Sequence, residues 1–133
     1  MKEITFEELK QLLLYRQIVD WNKNEIVLDN GVKIKIEETE RDCCAQAYGE
    51  FDNVVLEAVI TDIMPIEYDS WEDGDTYGCS AKVTFLHNKN IVCSANANAD
   101  AGNGGYYFSI ASFIITSLES GECFSCHFVG SDD

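Results

Sequence analysis

The sequence predicts an α+β fold: a short N-terminal helix followed by a mainly antiparallel β-sheet built from hairpins. Three observations carry this expectation. Phe6, Leu9 and Leu13 recur at spacings of three and four near the N-terminus. Val32, Ile34 and Ile36 alternate with Lys33 and Lys35, the period of a half-buried strand. From Cys79 onward, β-forming runs about ten residues apart are separated by turn residues, which favours antiparallel pairing. One early helix with hairpins behind it is the α+β ordering.

Taken in order, Thr5 is an N-cap with Glu8 three residues on, the capping-box spacing, so the helix starts at Phe6. Ile18–Leu28, the Asp29-Asn30-Gly31 turn and Val32–Glu37 read as two hairpins in series. Glu37–Asp42 reads as a charged, solvated linker ending at the vicinal pair Cys43-Cys44. Val54–Ile63, rich in β-branched residues, is expected as a strand. Pro65 is the only proline, and Glu67–Gly78 reads as an acidic loop bearing Trp71 and Tyr77. Strands are expected at Cys79–His87, Ile91–Asn98, Tyr106–Leu118 and Cys123–Val129, with turns at Asn88–Asn90 and Ser120-Gly121. The small-residue alternation Ala95–Ala101 would let another chain or a ligand approach closely. At 133 residues the chain suits one domain, with the helix and meander over 1–38 and a β-rich core over 43–130.

Charge narrows the function classes. Nine basic residues face 24 acidic ones, a formal charge of −15. Between Arg41 and Lys82 there is no Lys or Arg, while ten acidic residues fall in that stretch. DNA, RNA and anionic membranes would be repelled. No apolar h-region opens the chain, and no window approaches the roughly 18 apolar residues of a membrane span, so a cytoplasmic protein is expected. The six cysteines are expected as free thiols.

Several motifs invite chemistry. Cys123-Phe-Ser-Cys-His127 matches the spacing of covalent haem attachment, but an exported context and a helical pocket are missing, and a strand with its phenylalanines on one face explains the same residues. Cys43, Cys44, Cys123 and Cys126 have zinc-ligand chemistry. Adjacent cysteines in a strand point to opposite faces, however, so the first two would chelate one ion only from a turn, and buried thiols are the simpler reading. Pairing Cys43 or Cys44 with His87 or His127 has no supporting local signature, and no phosphate-binding P-loop or dinucleotide fingerprint occurs. No enzyme, metal or cofactor is expected.

The segment Asp100–Ser109 stands apart. Gly102, Gly104 and Gly105 let backbone N–H groups crowd a ligand, and Tyr106 and Tyr107 offer faces for a base, although Asn-Gly-Gly between two strands is also an ordinary turn.

In order, the helix, the strands around Asp29-Asn-Gly31, Asp42-Cys-Cys44, the acidic middle, Val83-Thr-Phe85 and Asn103-Gly-Gly-Tyr-Tyr-Phe-Ser109 resemble the first-described type of phage anti-Thoeris sponge. That family captures cyclic ADP-ribose signals made by bacterial TIR-domain defence enzymes. The resemblance spans most of the chain. It implies a homo-oligomeric phage protein in the host bacterial cytoplasm that sequesters a nucleotide-derived signal, a cyclic ADP-ribose isomer or cyclic oligonucleotide, without degrading it. It implies Phe85, Asn103, Tyr106, Tyr107 and Ser109 as pocket residues, with Gly104 and Gly105 supplying N–H groups and Asp42, Cys43 and Cys44 supporting the junction. The family's Arg-Trp before the loop is absent, with Val92-Cys93-Ser94 in the comparable strand, and an extra Gly and Phe enter the Gly-Tyr-Tyr segment. A phosphate partner would then come from Arg16, Arg41, Lys82 or Lys89. The alternative expectation is an acidic inhibitor that binds a host defence protein directly, with Asp62–Asp75 as its surface and Trp71 as its anchor.

Overall fold

Alternating side chains divide this chain between two facing β-sheets. The computed structural model describes residues 1–117 and 119–133. The first sheet contains β1 (Lys2–Glu3), β2 (Ile18–Asn22), β3 (Glu25–Leu28), β4 (Lys33–Arg41), β10 (Ser109–Thr116) and β11 (Cys123–Gly130), in the order β1-β11-β10-β4-β3-β2. The second contains β5 (Ala47–Asp52), β6 (Asp62–Ile63), β8 (Thr76–His87) and β9 (Asn90–Asp100) in the order β5-β9-β8-β6, with β7 (Glu67–Asp73) also paired to β8. Every pairing is antiparallel except β1 with β11. The helix α1 spans Phe6–Leu13. The short N-terminal helix and the mainly antiparallel pairing are as expected, but the strands form two sheets and the fold is largely β rather than α+β, because segments whose charge suggested loops are strands.

Glu37–Arg41 is one of these. β4 runs on through it because β10 pairs along its whole length, Ile110 opposite Glu40 and Ser112 opposite Glu37, while the charged side chains stay in water. Glu67–Gly78 is the other, a hairpin of β7 on β8 turning at Gly74, with acidic side chains marking an exposed edge strand. Of the strand expected over Val54–Ile63 only Asp62–Ile63 forms, as β6, and the segment before it goes the opposite way. It bridges the two sheets, Val55 N–H donating to Val92 C=O of β9 and Glu57 N–H to Ile18 C=O of β2, both at 2.8 Å. A segment serving two sheets cannot stay extended along either, and Glu57 takes a φ of +68°. The strand expected over Tyr106–Leu118 begins at Ser109 and ends at Thr116, and Leu118 lies outside the described residues.

Between the sheets, Phe113 and Phe128 stack with centroids 4.4 Å apart. β9 packs across from β10 and β11, and its Ala95, Ala97 and Ala99 are buried. The close approach that this alternation permits is thus made by the protein's own first sheet. Phe124 is partly buried while Cys126 and Phe128 are fully so, the alternation expected of β11.

α1 closes one side of the sandwich. Its capping box is formed, Glu8 N–H donating to Thr5 Oγ1 at 3.1 Å and Thr5 N–H to Glu8 Oε1 at 3.2 Å, and Leu9 and Leu13 are buried. Lys10 Nζ lies 3.3 Å from Asp62 Oδ1 on β6. The Ile63 N–H and then Lys10 hold the Asp62 carboxyl below its ordinary pKa. Among the described residues no helix is long and apolar enough to cross a membrane.

Removing one ring of the central stack, Phe128→Ala, should cost about 3–5 kcal/mol in urea unfolding. Because folding depresses the Asp62 pKa, its contribution is complete above the unfolded-state value and is lost as pH falls through the folded one. Lys10→Ala should move the Asp62 titration, followed by NMR, upward toward the ordinary carboxylate value.

Candidate functional site

Two connections cross between the sheets at the same end of the sandwich. After β4, the turn Asp42–Ala45, closed by Ala45 N–H to Asp42 C=O at 3.2 Å, leads into β5. After β9, the loop Ala101–Phe108 leads back to β10. β4 neighbours β10 in one sheet and β5 neighbours β9 in the other, so the crossings run side by side. This brings Asp42-Cys-Cys44 against the glycine loop, although some sixty residues separate them in sequence.

A polar clasp joins them. Asp42 N–H donates to Phe108 C=O at 2.9 Å, and Phe108 N–H returns a bond to Asp42 Oδ2 at 3.1 Å. Asp100 Oδ1 accepts from Gln46 N–H and from Gly102 N–H, each at 3.0 Å. The buried Ser109 hydroxyl lies 2.9 Å from Gln46 C=O and 2.8 Å from Asp100 C=O. Ser131, beyond β11, accepts the Ser109 N–H at 3.3 Å.

Within the loop, Asn103–Gly105 forms a 3-10 turn, with Gly102, Gly104 and Gly105 at φ of +69°, +77° and +69°. The expected N–H cradle is largely spent internally. Gly102 serves Asp100, Gly105 donates to Gly102 C=O at 3.2 Å and Tyr107 to Ala101 C=O at 2.9 Å. The anions held here are the protein's own carboxylates.

The aromatic side chains remain available. Tyr106 is 86% exposed, its ring edge lying over Gly104, where an added Cβ would sit 2.8 Å from it. Tyr107 is half-buried against Gly102 and the cysteine turn, and hydrogen bonding with the Cys44 thiol raises its phenol pKa. Phe108 is partly exposed. Tyr77 lies beside Gly105 and donates to Asp132 Oδ1 at 2.7 Å. It borders a groove of about 510 Å³ with Glu72, Asp132 and Asp133, an acidic wall on that side of the loop.

Of the residues expected here, Asn103, Gly104, Gly105, Tyr106 and Tyr107 are together and reachable from solvent. Ser109 is at the site but buried, where it positions the loop. Phe85 is a correction: it is 1% exposed on the inner face of β8, because strand alternation turns it into the core. Arg16 is another. It precedes β2 at the far end of the first sheet and pairs with Asp29 at 3.8 Å. Register runs from Val27 through Lys33 to Thr116, seven residues or about 23 Å along β10 from Ser109. Lys89, in the β8–β9 turn, is likewise at the end of its sheet away from Asp100. Arg41 stands opposite Ser109 in the β4–β10 register, and its Nε lies 3.6 Å from Glu38 Oε1.

The other leads disperse. His87 Nδ1–H donates to Val59 C=O and His127 Nε2 meets Asp133 Oδ2, both at 2.7 Å. Cys126 is buried, and Cys123 pairs with Thr116 at the far end of the sheet, so neither joins Cys43 and Cys44. Trp71, expected as an exposed anchor, instead covers Gly78 and donates its Nε1–H to Asn98 Oδ1 at 2.8 Å. The residues that sequence reasoning missed are Gln46, Tyr77, Asp100 and Ser131. Only Asp100 carried a signal, an acidic residue two before a glycine, the pattern of an Asx turn.

Ser109→Ala should destabilise the protein by about 1–3 kcal/mol, since the single buried O–H that is shared between the Gln46 and Asp100 carbonyls is lost. Amide exchange at 101–108 should accelerate more than exchange in the β2–β3 hairpin.

A family model described as Domain of unknown function (DUF7448) matches residues 11–114. No curated protein and no solved structure matches the chain. The matched region runs from the last turn of α1 into β10 and contains both crossings and the clasp between them, and the chain belongs to this DUF7448 family.

Proposed function

We propose that this protein is a phage anti-defence protein that captures a small nucleotide-derived signalling molecule, a cyclic ADP-ribose isomer or cyclic oligonucleotide, and holds it unaltered. The observation that carries this reading is Tyr106: an aromatic face 86% exposed, mounted on a glycine turn that is itself clasped to the sandwich. Stacking a base on such a ring is worth about 1–3 kcal/mol and requires no catalytic group. Tyr107 and Phe108 extend the surface. Arg41, opposite Ser109 in register, is the phosphate partner on exchanging Glu38 for the ligand, because the Gly102 and Phe108 amides already serve Asp100 and Asp42 and the opposite wall is acidic. One protomer leaves Tyr106 open, so a second copy supplies the burial that tight capture needs, consistent with a homo-oligomer.

Capture without turnover fits the surroundings: the ring nitrogens of His87 and His127 are hydrogen-bonded to Val59 C=O and Asp133 Oδ2.

In calorimetry against a panel of cyclic ADP-ribose isomers and cyclic oligonucleotides, the protein should bind at least one, and heat denaturation should return that molecule intact. Tyr106→Ala should weaken binding about 5- to 150-fold with little change in melting temperature, as the ring is exposed. No binding across the panel, or recovery of a cleaved product, overturns the reading. The exposed acidic edge of β7, with Glu67, Asp69, Glu72 and Asp73, favours a second reading as a direct inhibitor of a host defence protein. Neutralising those four residues distinguishes the two: loss of protection with small-molecule binding intact selects the inhibitor.

A further inference from the structure

We infer that Cys43 and Cys44 form a modification site, a vicinal dithiol that closes to a disulfide under peroxide and shifts the glycine loop as it does so. The two residues occupy the central positions of the Asp42–Ala45 turn, both are exposed, and their Sγ atoms are 2.8 Å apart. In a strand the same two side chains would diverge to opposite faces. The turn is what brings them together.

The remaining cysteines do not compete. Cys79, Cys93 and Cys126 are buried, and burial pushes the Cys93 thiol up to about 12 and the Cys126 thiol up to about 11. Cys123 is half-exposed at the far end of the first sheet.

The chemistry balances with hydrogen peroxide as the two-electron oxidant. One thiol ionises and its thiolate attacks a peroxide oxygen, giving a sulfenic acid and hydroxide, which the proton released by the thiol converts to water. The neighbouring thiol then displaces that hydroxyl as a second water, forming the S–S bond. The net change is two thiols and one peroxide to one disulfide and two waters. With the Cys43 thiol pKa raised, the thiolate fraction and hence the rate should rise with pH.

Closure has a structural consequence because the turn has no slack on its inner side. The Cys44 carbonyl oxygen lies 2.6 Å from where a Cβ on Gly102 would sit, and Tyr107 packs on the same glycine. An eight-membered ring containing the Cys43–Cys44 peptide must reorient that peptide, and Gly102 and Tyr107 must follow. The oxidation itself does not depend on the capture reading; only its effect on a bound ligand does.

The test treats the folded protein with stoichiometric peroxide, followed by intact-mass and peptide mapping, and separately titrates the reduced protein with phenylarsine oxide, a probe that requires two adjoining thiols and releases one water on binding. Expected are a chain lighter by two hydrogen atoms with the loss mapped to Cys43 and Cys44, restoration by dithiothreitol, and altered amide exchange at 101–108. One equivalent of arsenical should bind the wild type and none should bind Cys43→Ser or Cys44→Ser, each verified as folded by circular dichroism. Those variants should stop at a sulfenic acid on the remaining thiol. Oxygen addition at separate cysteines of the wild type, intermolecular disulfides only, or an arsenical stoichiometry unchanged by both variants would overturn the inference.

Discussion

The arrangement of this protein depends on the clasp between its two sheet crossings. A sandwich assembled from hairpins is held within each sheet by ladder hydrogen bonds and between sheets by apolar contact, neither of which specifies how a crossing loop sits. Here the two crossings specify each other. Asp42 exchanges two hydrogen bonds with Phe108, Asp100 receives the Gln46 and Gly102 amides, and the Ser109 hydroxyl lies between two carbonyls at the seam. The Ser109 N–H on Ser131 Oγ is buried and the Ser109 hydroxyl and Gly102 contacts are partly buried, so leaving these groups unpaired would be costly, while the Asp42 and Gln46 contacts lie at the surface. Tyr106 is held out in solvent by a backbone that is not free to fold it back.

The same clasp explains how a protein of charge −15 keeps a glycine-rich N–H cradle. Oriented amide hydrogens attract anions, and the anions closest to hand are the chain's own carboxylates. Asp100 and Asp42 occupy that role and preorganise the loop. The acidic surface repels a flexible polyanion over most of the molecule.

Packing between the sheets follows a division of volume. The large rings, Phe113 and Phe128, come from β10 and β11, and the facing strand β9 contributes alanines. Asn96, Asn98 and Asp100 alternate with those alanines, so one strand supplies both a smooth inner face and a polar outer one, and its last residue enters the clasp. A strand tuned to the sandwich interior thereby delivers Asp100 to the site.

Local periodicity was enough for the sequence by itself to determine the capped helix, the early meander, the C-terminal strands and the exposed glycine-tyrosine loop, because each depends on neighbours a few residues away. Charge misled it at Glu37–Arg41 and Glu67–Asp73, where pairing with β10 and β8 overrode composition, and β-branching misled it over Val54–Thr61, ahead of β6, where the chain serves two sheets at once. The placement of Phe85 in the core, of Arg16 at the distant end, and of Gln46, Tyr77, Asp100 and Ser131 around the loop was decided only by tertiary structure. Register between strands far apart in the chain sets which side chains meet, and no local pattern encodes that register.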